Sequence, residues 1–285
     1  MAYTTLISAE ELAEHFEDDD WAVVDCRFSL ADPALGRAQY LSSHIPGAIY
    51  AHLDEDLSGA VVPGVTGRHP LPDPIVFVRT LSRWGIADGV QVVAYDNLGG
   101  AMASRLWWML RQQGHDQIAV LNGGWPQWEL AGYPVAAGAE SRPPRTFVPA
   151  PRAGDVVTTE YIQQRLESPD LHLYDVRAPE RYRGEVELID PVAGHIPGAV
   201  SAPYADNMAA DGCFKSIEEL RARYEQLIND VAAEDVVFYC GSGVTSNHSL
   251  LALEHIGMRG AKLYAGSWSQ WIADPDRPVA TGPNP

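Results

Sequence analysis

An α/β architecture with two tandem copies of one domain is predicted by three features of this 285-residue chain. Its length suits two domains of about 140 residues each. Several blocks of sequence in the first half recur in the same order in the second half. Between these blocks, short apolar runs alternate with helical patterns. We therefore expect, in each copy, a parallel β-sheet with helices on both faces.

The internal repeat divides the chain near its middle. The matched blocks, first copy before second, are VVDCRF (23–28) and LYDVRA (173–178), SHIPGAIYAHL (43–53) and GHIPGAVSAPY (194–204), VQVVAYDN (90–97) and DVVFYCGS (235–242), and AVLNGGWPQW (119–128) and KLYAGSWSQW (262–271). A period this long indicates domain duplication, because solenoid repeats are about 20–50 residues long. The predicted boundaries are an N-terminal domain at 1–138, a proline-rich linker at 139–155 and a C-terminal domain at 156–285.

Each element is assigned from its pattern and its flanking residues. Strands are predicted for short apolar runs between turn residues, at 22–25, 91–96 and 118–121 in the first copy and at 171–176, 236–240 and 262–265 in the second. Helices are predicted after Ser8 and Ser216, because each serine is followed three positions later by a glutamate that completes a capping box. Two further helices, at 101–113 and 246–256, are expected to end at Gly114 and Gly257.

The chain is strongly acidic, with a net charge of −18 from 38 acidic and 20 basic residues. This argues against nucleic acid and anionic membranes as partners, because binding to either depends on surplus lysine and arginine. Neither an apolar run of membrane length nor a signal-peptide pattern is visible, so we expect a cytoplasmic protein. Cys26 is expected in the core and Cys213 in a polar turn, and no CxxC pair suggests a metal. No cofactor is expected.

The segment YCGSGVTS carries the predicted chemistry. Cys240 ends a predicted strand, and binding sites of parallel sheets lie beyond the carboxyl ends of their strands. Gly241 and Gly243 permit a tight turn, and Thr245 or Ser246 is predicted to cap the next helix. Backbone N–H groups and the helix N-terminus would then surround the sulfur, lower the pKa of the thiol and favour the thiolate.

The duplicated domain, the two HIPGA segments, the GGW and GSW blocks and the CGSGVT loop together resemble the two-domain rhodanese family of sulfurtransferases. The resemblance covers essentially the whole chain and implies two tandem rhodanese-like domains. The CGSGVT loop is similar to that of the 3-mercaptopyruvate sulfurtransferases, whereas thiosulfate-preferring members typically carry two cationic residues after the cysteine. The resemblance also implies an inactive N-terminal domain, since Asp96 stands at the position that matches Cys240.

Further roles are implied by the same resemblance. A persulfide on Cys240 would carry sulfur from 3-mercaptopyruvate, or from thiosulfate, to a thiophilic acceptor such as cyanide, a small thiol or a thioredoxin-like protein. The implied catalytic residues are Cys240, Ser242, His69 and Asp54. The implied substrate-binding residues are Arg181, Gly241, Gly243, Val244 and Thr245.

The sequence leaves alternatives open for both the sulfur donor and the class of reaction. Mercaptopyruvate enzymes usually carry a second substrate arginine, but 185–195 contains none, so either Arg183 replaces it or thiosulfate is also used. A thiosulfate-preferring rhodanese is therefore one alternative. A Cys-dependent phosphatase or arsenate reductase is less favoured, because those enzymes use Cys-x5-Arg and the sixth residue after Cys240 is Ser246. The third alternative is a non-enzymatic persulfide carrier. A monomer is expected, because the duplication already supplies a second domain.

Overall fold

The computed structural model describes residues 2–285 and divides them into two compact units. The first unit comprises 2–59, 71–152 and 210–214, and the second comprises 60–70, 153–209 and 215–285. The second unit thus includes 60–70, a segment that the sequence boundaries assign to the N-terminal domain. Most of the predicted linker, 139–155, belongs with the first unit. The contacts that a segment makes, and not its position along the chain, decide this membership.

The first unit is a parallel β-sheet flanked by helices. Its elements, in chain order, are β1 (Leu6–Ile7), α1 (Ala9–Ala13), β2 (Trp21–Asp25), α2 (Pro33–Ser42), β3 (Ile49–Tyr50), α3 (Pro74–Arg83), β4 (Gln91–Tyr95), α4 (Ala103–Gln112), β5 (Ile118–Leu121) and α5 (Gly124–Leu130). The five strands lie in the order β1-β5-β4-β2-β3, and each neighbouring pair is parallel. The helix α4 packs on the adjacent strands β4 and β5.

The second unit repeats this architecture. Its elements are β6 (Val156–Val157), α6 (Thr159–Gln163), β7 (His172–Asp175), α7 (Pro179–Tyr182), β8 (Val200–Ser201), a 3₁₀ turn (Tyr204–Asn207), α8 (Ile217–Ile228), a 3₁₀ turn (Ala233–Asp235), β9 (Val236–Tyr239), α9 (Ser246–His255), β10 (Lys262–Tyr264) and α10 (Ser267–Trp271). The strand order β6-β10-β9-β7-β8 matches the first sheet position by position, and α9 packs on β9 and β10 as α4 packs on β4 and β5. The predicted duplication is therefore confirmed.

The predicted elements agree with the structure to within about two residues. All six predicted strands are present, and both capping boxes form. Gly114 and Gly257, which follow α4 and α9, have φ of +86° and +83°, as left-handed helix stops require. The edge strands β1, β3, β6 and β8 escaped prediction, because two residues are too few to show a period. Among the described residues, no helix combines the length and the apolar character needed to cross a membrane.

A buried ion pair connects three of the repeated sequence blocks in the second unit. Arg177 donates from Nε and Nη2 to the carboxylate of Asp175, at 2.6–3.1 Å, and from Nη2 to the carbonyl of Gly194 at 2.5 Å. The guanidinium also lies over the ring of Trp268, 4.8 Å from its centre. The Asp-x-Arg, HIPGA and Trp blocks recur because they build this contact together. The first unit repeats it with Asp25, Arg27, Ser43 and Trp125.

Asp96 directly follows β4, the middle strand of the first sheet, and is fully buried. Its Oδ1 accepts the N–H groups of Leu98 and Gly100 at 2.8 and 2.9 Å. Its Oδ2 accepts those of Met102 and Ala103 at 2.7 and 2.8 Å. Four backbone donors thus surround one carboxylate, and such charge-assisted bonds offset the loss of its hydration. We call residues 96–103 the Asp96 loop.

The Asp96 loop provides a test of stability. Replacing Asp96→Asn puts an NH₂ group against two of the four backbone donors, so we expect the free energy of unfolding to fall by about 3 kcal/mol. Chemical denaturation followed by circular dichroism measures this change. Asp73→Asn is the matched control, because Asp73 accepts the N–H groups of Ile75 and Val76 at the exposed start of α3 and asparagine caps a helix equally well. A loss no larger than that of the control would contradict the assigned role of the carboxylate.

Candidate active site

Cys240 follows β9, the middle strand of the second sheet, at the position that Asp96 occupies in the first. Its Sγ accepts the backbone N–H of Gly243 at 3.1 Å. Its own backbone is held on both sides: the N–H donates to Ser267 Oγ at 3.1 Å, and the carbonyl accepts the N–H of Trp268 at 3.0 Å. The cysteine is therefore fixed to the start of α10. We call residues 240–246 the Cys240 loop.

Gly243 gives the Cys240 loop its shape. Its φ is +77°, and a Cβ atom at this position would lie only 2.2 Å from the carbonyl oxygen of Ala265. Both conditions require glycine. Asn247 then secures the turn by donating from Nδ2 to the carbonyls of Gly243 and Val244 at 2.9 and 2.8 Å. The loop is thus held in one conformation from within its own helix.

The pKa of the Cys240 thiol is lowered from its ordinary value. Burial is the largest single influence and raises it, since only 2% of the residue is exposed. Hydrogen bonds from the Thr245 side chain and from the Ser242 and Ser246 backbone act in the opposite direction, and the net effect is a lowered pKa. Thr245 stands at the N-cap of α9, as predicted, but makes no capping bond because its hydroxyl serves the sulfur instead.

The thiols of the other two cysteines have raised pKa values. Burial, reinforced by the charges of Asp25, Asp96 and Asp56, raises the pKa of the Cys26 thiol well above its ordinary value. Burial and the neighbouring Asp211 raise that of Cys213, which is half-buried. Of the three thiols, only that of Cys240 has its pKa lowered by its environment.

His69 and Ser242 lie together, as the resemblance implied. His69 Nδ1 and Ser242 Oγ are 2.7 Å apart, and each residue is 5% exposed. The segment 60–70 that carries His69 is held to the second unit by two more bonds: Gln270 Nε2 donates to the carbonyl of Val65 at 2.9 Å, and the N–H of Arg68 donates to Ser269 Oγ at 3.0 Å. The imidazole is thereby directed at the Cys240 loop.

Asp54, the third residue of the implied catalytic set, lies in the first unit. Its backbone N–H donates to Nδ1 of His52 at 3.2 Å. Its role toward His69 stays a prediction.

Arg181 lies beside the Cys240 loop. A Cβ atom placed on Gly241 would be 3.6 and 3.7 Å from Nη2 and Nη1 of Arg181. Glu187 accepts from Nε and Nη2 at 3.0 and 2.9 Å, and Asp190 accepts from Nη2 at 3.0 Å. Arg183, the suggested second arginine, instead forms a bidentate pair with Glu185 at 2.7 and 2.8 Å.

The sequence reasoning missed Arg68. Its Nη1 pairs with Asp190, and its Nη2 would be 3.0 Å from a Cβ atom on Gly241. The pKa of this guanidinium is lowered, because burial outweighs the opposing influence of Cys240. The second arginine was predicted only downstream of Arg181, whereas Arg68 lies far upstream of it. The adjacent position in TGRHPLP, directly before His69, is the signal that could have found Arg68.

A metal site is not part of this arrangement. Among residues 2–285, no group of three or more His, Cys, Asp or Glu side chains is placed to hold a metal ion. The groups that meet at the Cys240 loop are a thiol whose pKa is lowered, a hydroxyl bound to an imidazole, and two guanidinium groups. Groups of these kinds can act as a nucleophile, as a proton carrier and as binders of an anion.

Comparison with known proteins agrees with this chemistry. The sequence model of the rhodanese-like domain family matches residues 8–131 and 158–274. A protein of Pseudomonas aeruginosa named "Probable 3-mercaptopyruvate sulfurtransferase" is 47% identical over 283 residues, which cover 99% of this chain and 100% of the relative. The "Putative thiosulfate sulfurtransferase SseB" of Mycobacterium tuberculosis is 38% identical over 291 residues and 97% of each chain.

Two solved structures resemble the chain over most of its length. The 3-mercaptopyruvate sulfurtransferase of Leishmania major superposes with a TM-score of 0.84 at 32% identity, over 96% of this chain and 75% of that one. SseA of Escherichia coli, described as a 3-mercaptopyruvate sulfotransferase with the rhodanese fold, superposes with a TM-score of 0.81 at 31% identity, over 94% and 100%. With two rhodanese-like domains and full-length relatives of this kind, the chain belongs to the rhodanese family and is a two-domain sulfurtransferase.

Proposed function

We propose that Cys240 carries sulfur as a persulfide and that 3-mercaptopyruvate is the preferred donor. The observation that carries this proposal is the 2.7 Å contact between His69 Nδ1 and Ser242 Oγ. Ser242 lies two residues after Cys240, whose thiol pKa is lowered. A sulfur transfer from 3-mercaptopyruvate must move a proton as well as a sulfur atom. A transfer from thiosulfate moves sulfur alone and has no use for a hydroxyl–imidazole pair.

The first half-reaction forms the persulfide. The Cys240 thiolate attacks the donor sulfur, an S–S bond forms, and the C–S bond of the donor breaks with its electron pair passing to the pyruvate enolate. The proton of the donor thiol passes to C3 of the enolate and gives pyruvate. Ser242 and His69 relay this proton, with the imidazole as the group that holds it in transit. Atoms and charge balance, since one thiolate becomes one ionised persulfide.

The second half-reaction returns Cys240 to the thiolate. A thiophile attacks the outer sulfur, so that cyanide leaves as thiocyanate, and a small thiol or a thioredoxin-like dithiol takes the sulfur in the same way. Covalent transfer divides one difficult exchange into two easier ones. The Gly243 N–H and the Thr245 hydroxyl stabilise an anion at Cys240 both before and after each step.

The composition of the Cys240 loop supports the donor assignment. The two residues after the cysteine are Gly241 and Ser242, which are uncharged. Two cationic residues at these positions would instead favour the doubly charged thiosulfate. Arg181 then supplies a guanidinium for the single carboxylate of 3-mercaptopyruvate, outside the loop itself. Asp54 completes the proposal as the carboxylate that would orient His69, on the strength of the family resemblance.

Donor turnover tests the proposal directly. With cyanide as acceptor, the wild-type protein should show a kcat/KM for 3-mercaptopyruvate above that for thiosulfate. Donor alone should add the mass of one sulfur atom to the protein. Cys240→Ser should abolish both activities and the added mass, while Cys213→Ser should keep them. Thiosulfate preference in the wild type would overturn the donor assignment. A sulfur atom added to Cys240→Ser would overturn the assignment of Cys240 as the sulfur carrier.

The proton relay predicts a donor-specific loss in Ser242→Ala. Turnover of 3-mercaptopyruvate should fall by about 10²-fold or more, because a positioned proton carrier contributes typically that much. Thiosulfate turnover should change far less, since no proton moves in that reaction. Steady-state kinetics with both donors measures the difference, and equal losses with the two donors would count against the relay.

The lowered thiol pKa predicts a distinctive pH dependence. In a Cys26→Ser/Cys213→Ser variant, the rate of alkylation by iodoacetamide should rise with the thiolate fraction, with its midpoint below the free-thiol pKa of about 8.5. The kcat/KM for 3-mercaptopyruvate should fall as the pH drops through the same midpoint, because protonation removes the nucleophile. A variant that keeps only Cys213 serves as the control and should have its midpoint above the free-thiol value. The reverse order of the two midpoints would exclude stabilisation by the loop.

A further inference from the structure

A cavity of about 340 Å³ lies in the first unit, among residues to which the proposed function gives no role. Its walls come from α2, β3, the end of α3 and the segment 139–142 of the predicted linker. The backbone N–H of Glu140 donates to Tyr40 Oη at 2.9 Å and so holds this segment on α2. The cavity therefore has fixed walls and a volume within the range of small-molecule sites.

Aromatic rings form much of the apolar lining of this cavity. Tyr40 and Tyr50 stack with their ring centres 5.4 Å apart and their planes inclined by 30°. Trp84, which is 6% exposed, contributes a third ring, and Leu41 and Ile49 add aliphatic surface. Surfaces of this kind bind the flat apolar body of an aromatic ligand.

Three arginines also line the cavity, and two of them already have carboxylate partners. Arg37 pairs with Glu55, and Arg83 pairs with Asp56 at 3.0 Å. The charge of each of these arginines is thus balanced by a neighbouring carboxylate. Arg142 is the third, and its contacts decide which kind of ligand the cavity favours.

Arg142 is a cation whose hydrogen-bonding capacity is largely unused. Within the described part of the chain it has no carboxylate partner, and its one side-chain hydrogen bond runs from Nη2 to the carbonyl of Asp19 at 3.0 Å. Its Nε is buried without an acceptor. Burial and the charge of Arg145 lower the pKa of Arg142. Glu140, the one carboxylate in the lining, lies beside His44 instead, with Oε1 3.7 Å from Nε2. A bound anion would supply an acceptor for this guanidinium.

We propose that this cavity binds a small aromatic monocarboxylate, with its rings against Tyr40, Tyr50 and Trp84 and its carboxylate on Arg142. The planar N–H donors of a guanidinium match the geometry of a carboxylate, and one unpaired cation matches one negative charge. A phosphate would bring a second charge, for which the lining keeps no unpaired cation. The site goes beyond the proposed function, because every residue that lines it belongs to the first unit.

The first test compares 2-naphthoate with its uncharged analogue 2-naphthamide, which has the same flat two-ring body. Isothermal titration calorimetry of the wild-type protein should give a Kd for 2-naphthoate about tenfold or more below that for 2-naphthamide, because the amide lacks the charge-assisted hydrogen bond. Arg142→Gln should raise the Kd for 2-naphthoate by a similar factor. Arg145→Gln is the matched control, since Arg145 binds the same carbonyl of Asp19 but does not line the cavity, and it should leave this Kd within about twofold of the wild type. Equal affinities for the two compounds, or equal effects of the two substitutions, would overturn the proposal.

A second pair of variants covers the case in which Arg142→Gln does not fold. Leu41 and Leu35 are 44% and 41% exposed on α2, and of the two only Leu41 lines the cavity. Leu41→Glu puts a negative charge beside the proposed ligand, so its Kd for 2-naphthoate should be about tenfold higher than that of Leu35→Glu. The same Kd in both variants would contradict binding at this place. Because binding is measured without turnover, the result is independent of the sulfur donor.

Discussion

Backbone N–H groups that converge beyond the middle strand of each sheet require an anion, and the rest of the site depends on that requirement. In the first unit the anion is the Asp96 carboxylate, which four N–H groups bind. In the second unit the corresponding acceptor is the Cys240 sulfur, which accepts the N–H of Gly243 and whose pKa is lowered by the Thr245 hydroxyl. One backbone design therefore has two uses. A carboxylate there stabilises the fold, and a thiolate there is a nucleophile.

The lowered pKa of the Cys240 thiol is the outcome of opposing effects. Removing a thiolate from water disfavours it, which is why burial alone raises the pKa of Cys26. Hydrogen bonds aimed at the sulfur reverse the result for Cys240 under almost the same burial. Their geometry depends on the left-handed turn at Gly243 and on the anchoring of Cys240 to Ser267. The packing of the second unit is thus the origin of its chemistry.

Most of the fold was predictable because its signals are local. Apolar runs, the glutamates of the capping boxes and the glycines after α4 and α9 determine structure within a few residues of themselves. Each of these signals also occurs in both copies of the domain. The Cys240 loop was predictable for the same reason. Arg68 was not, because its place beside Gly241 depends on the contacts of 60–70 with Ser269, Gln270 and Asp190. Such long-range contacts leave no period or spacing in the sequence.

The binding of Asp96 also limits how this chain can evolve. Four N–H groups converge in pairs on two oxygen atoms, whereas a cysteine would offer a single sulfur atom in their place. A change of one codon would therefore leave buried donors without an acceptor and would lower stability before it gained a nucleophile. Once the carboxylate is in place, reversal requires the surrounding loop to be rebuilt. A single substitution at Asp96 therefore cannot make the first copy equivalent to the second without a cost in stability.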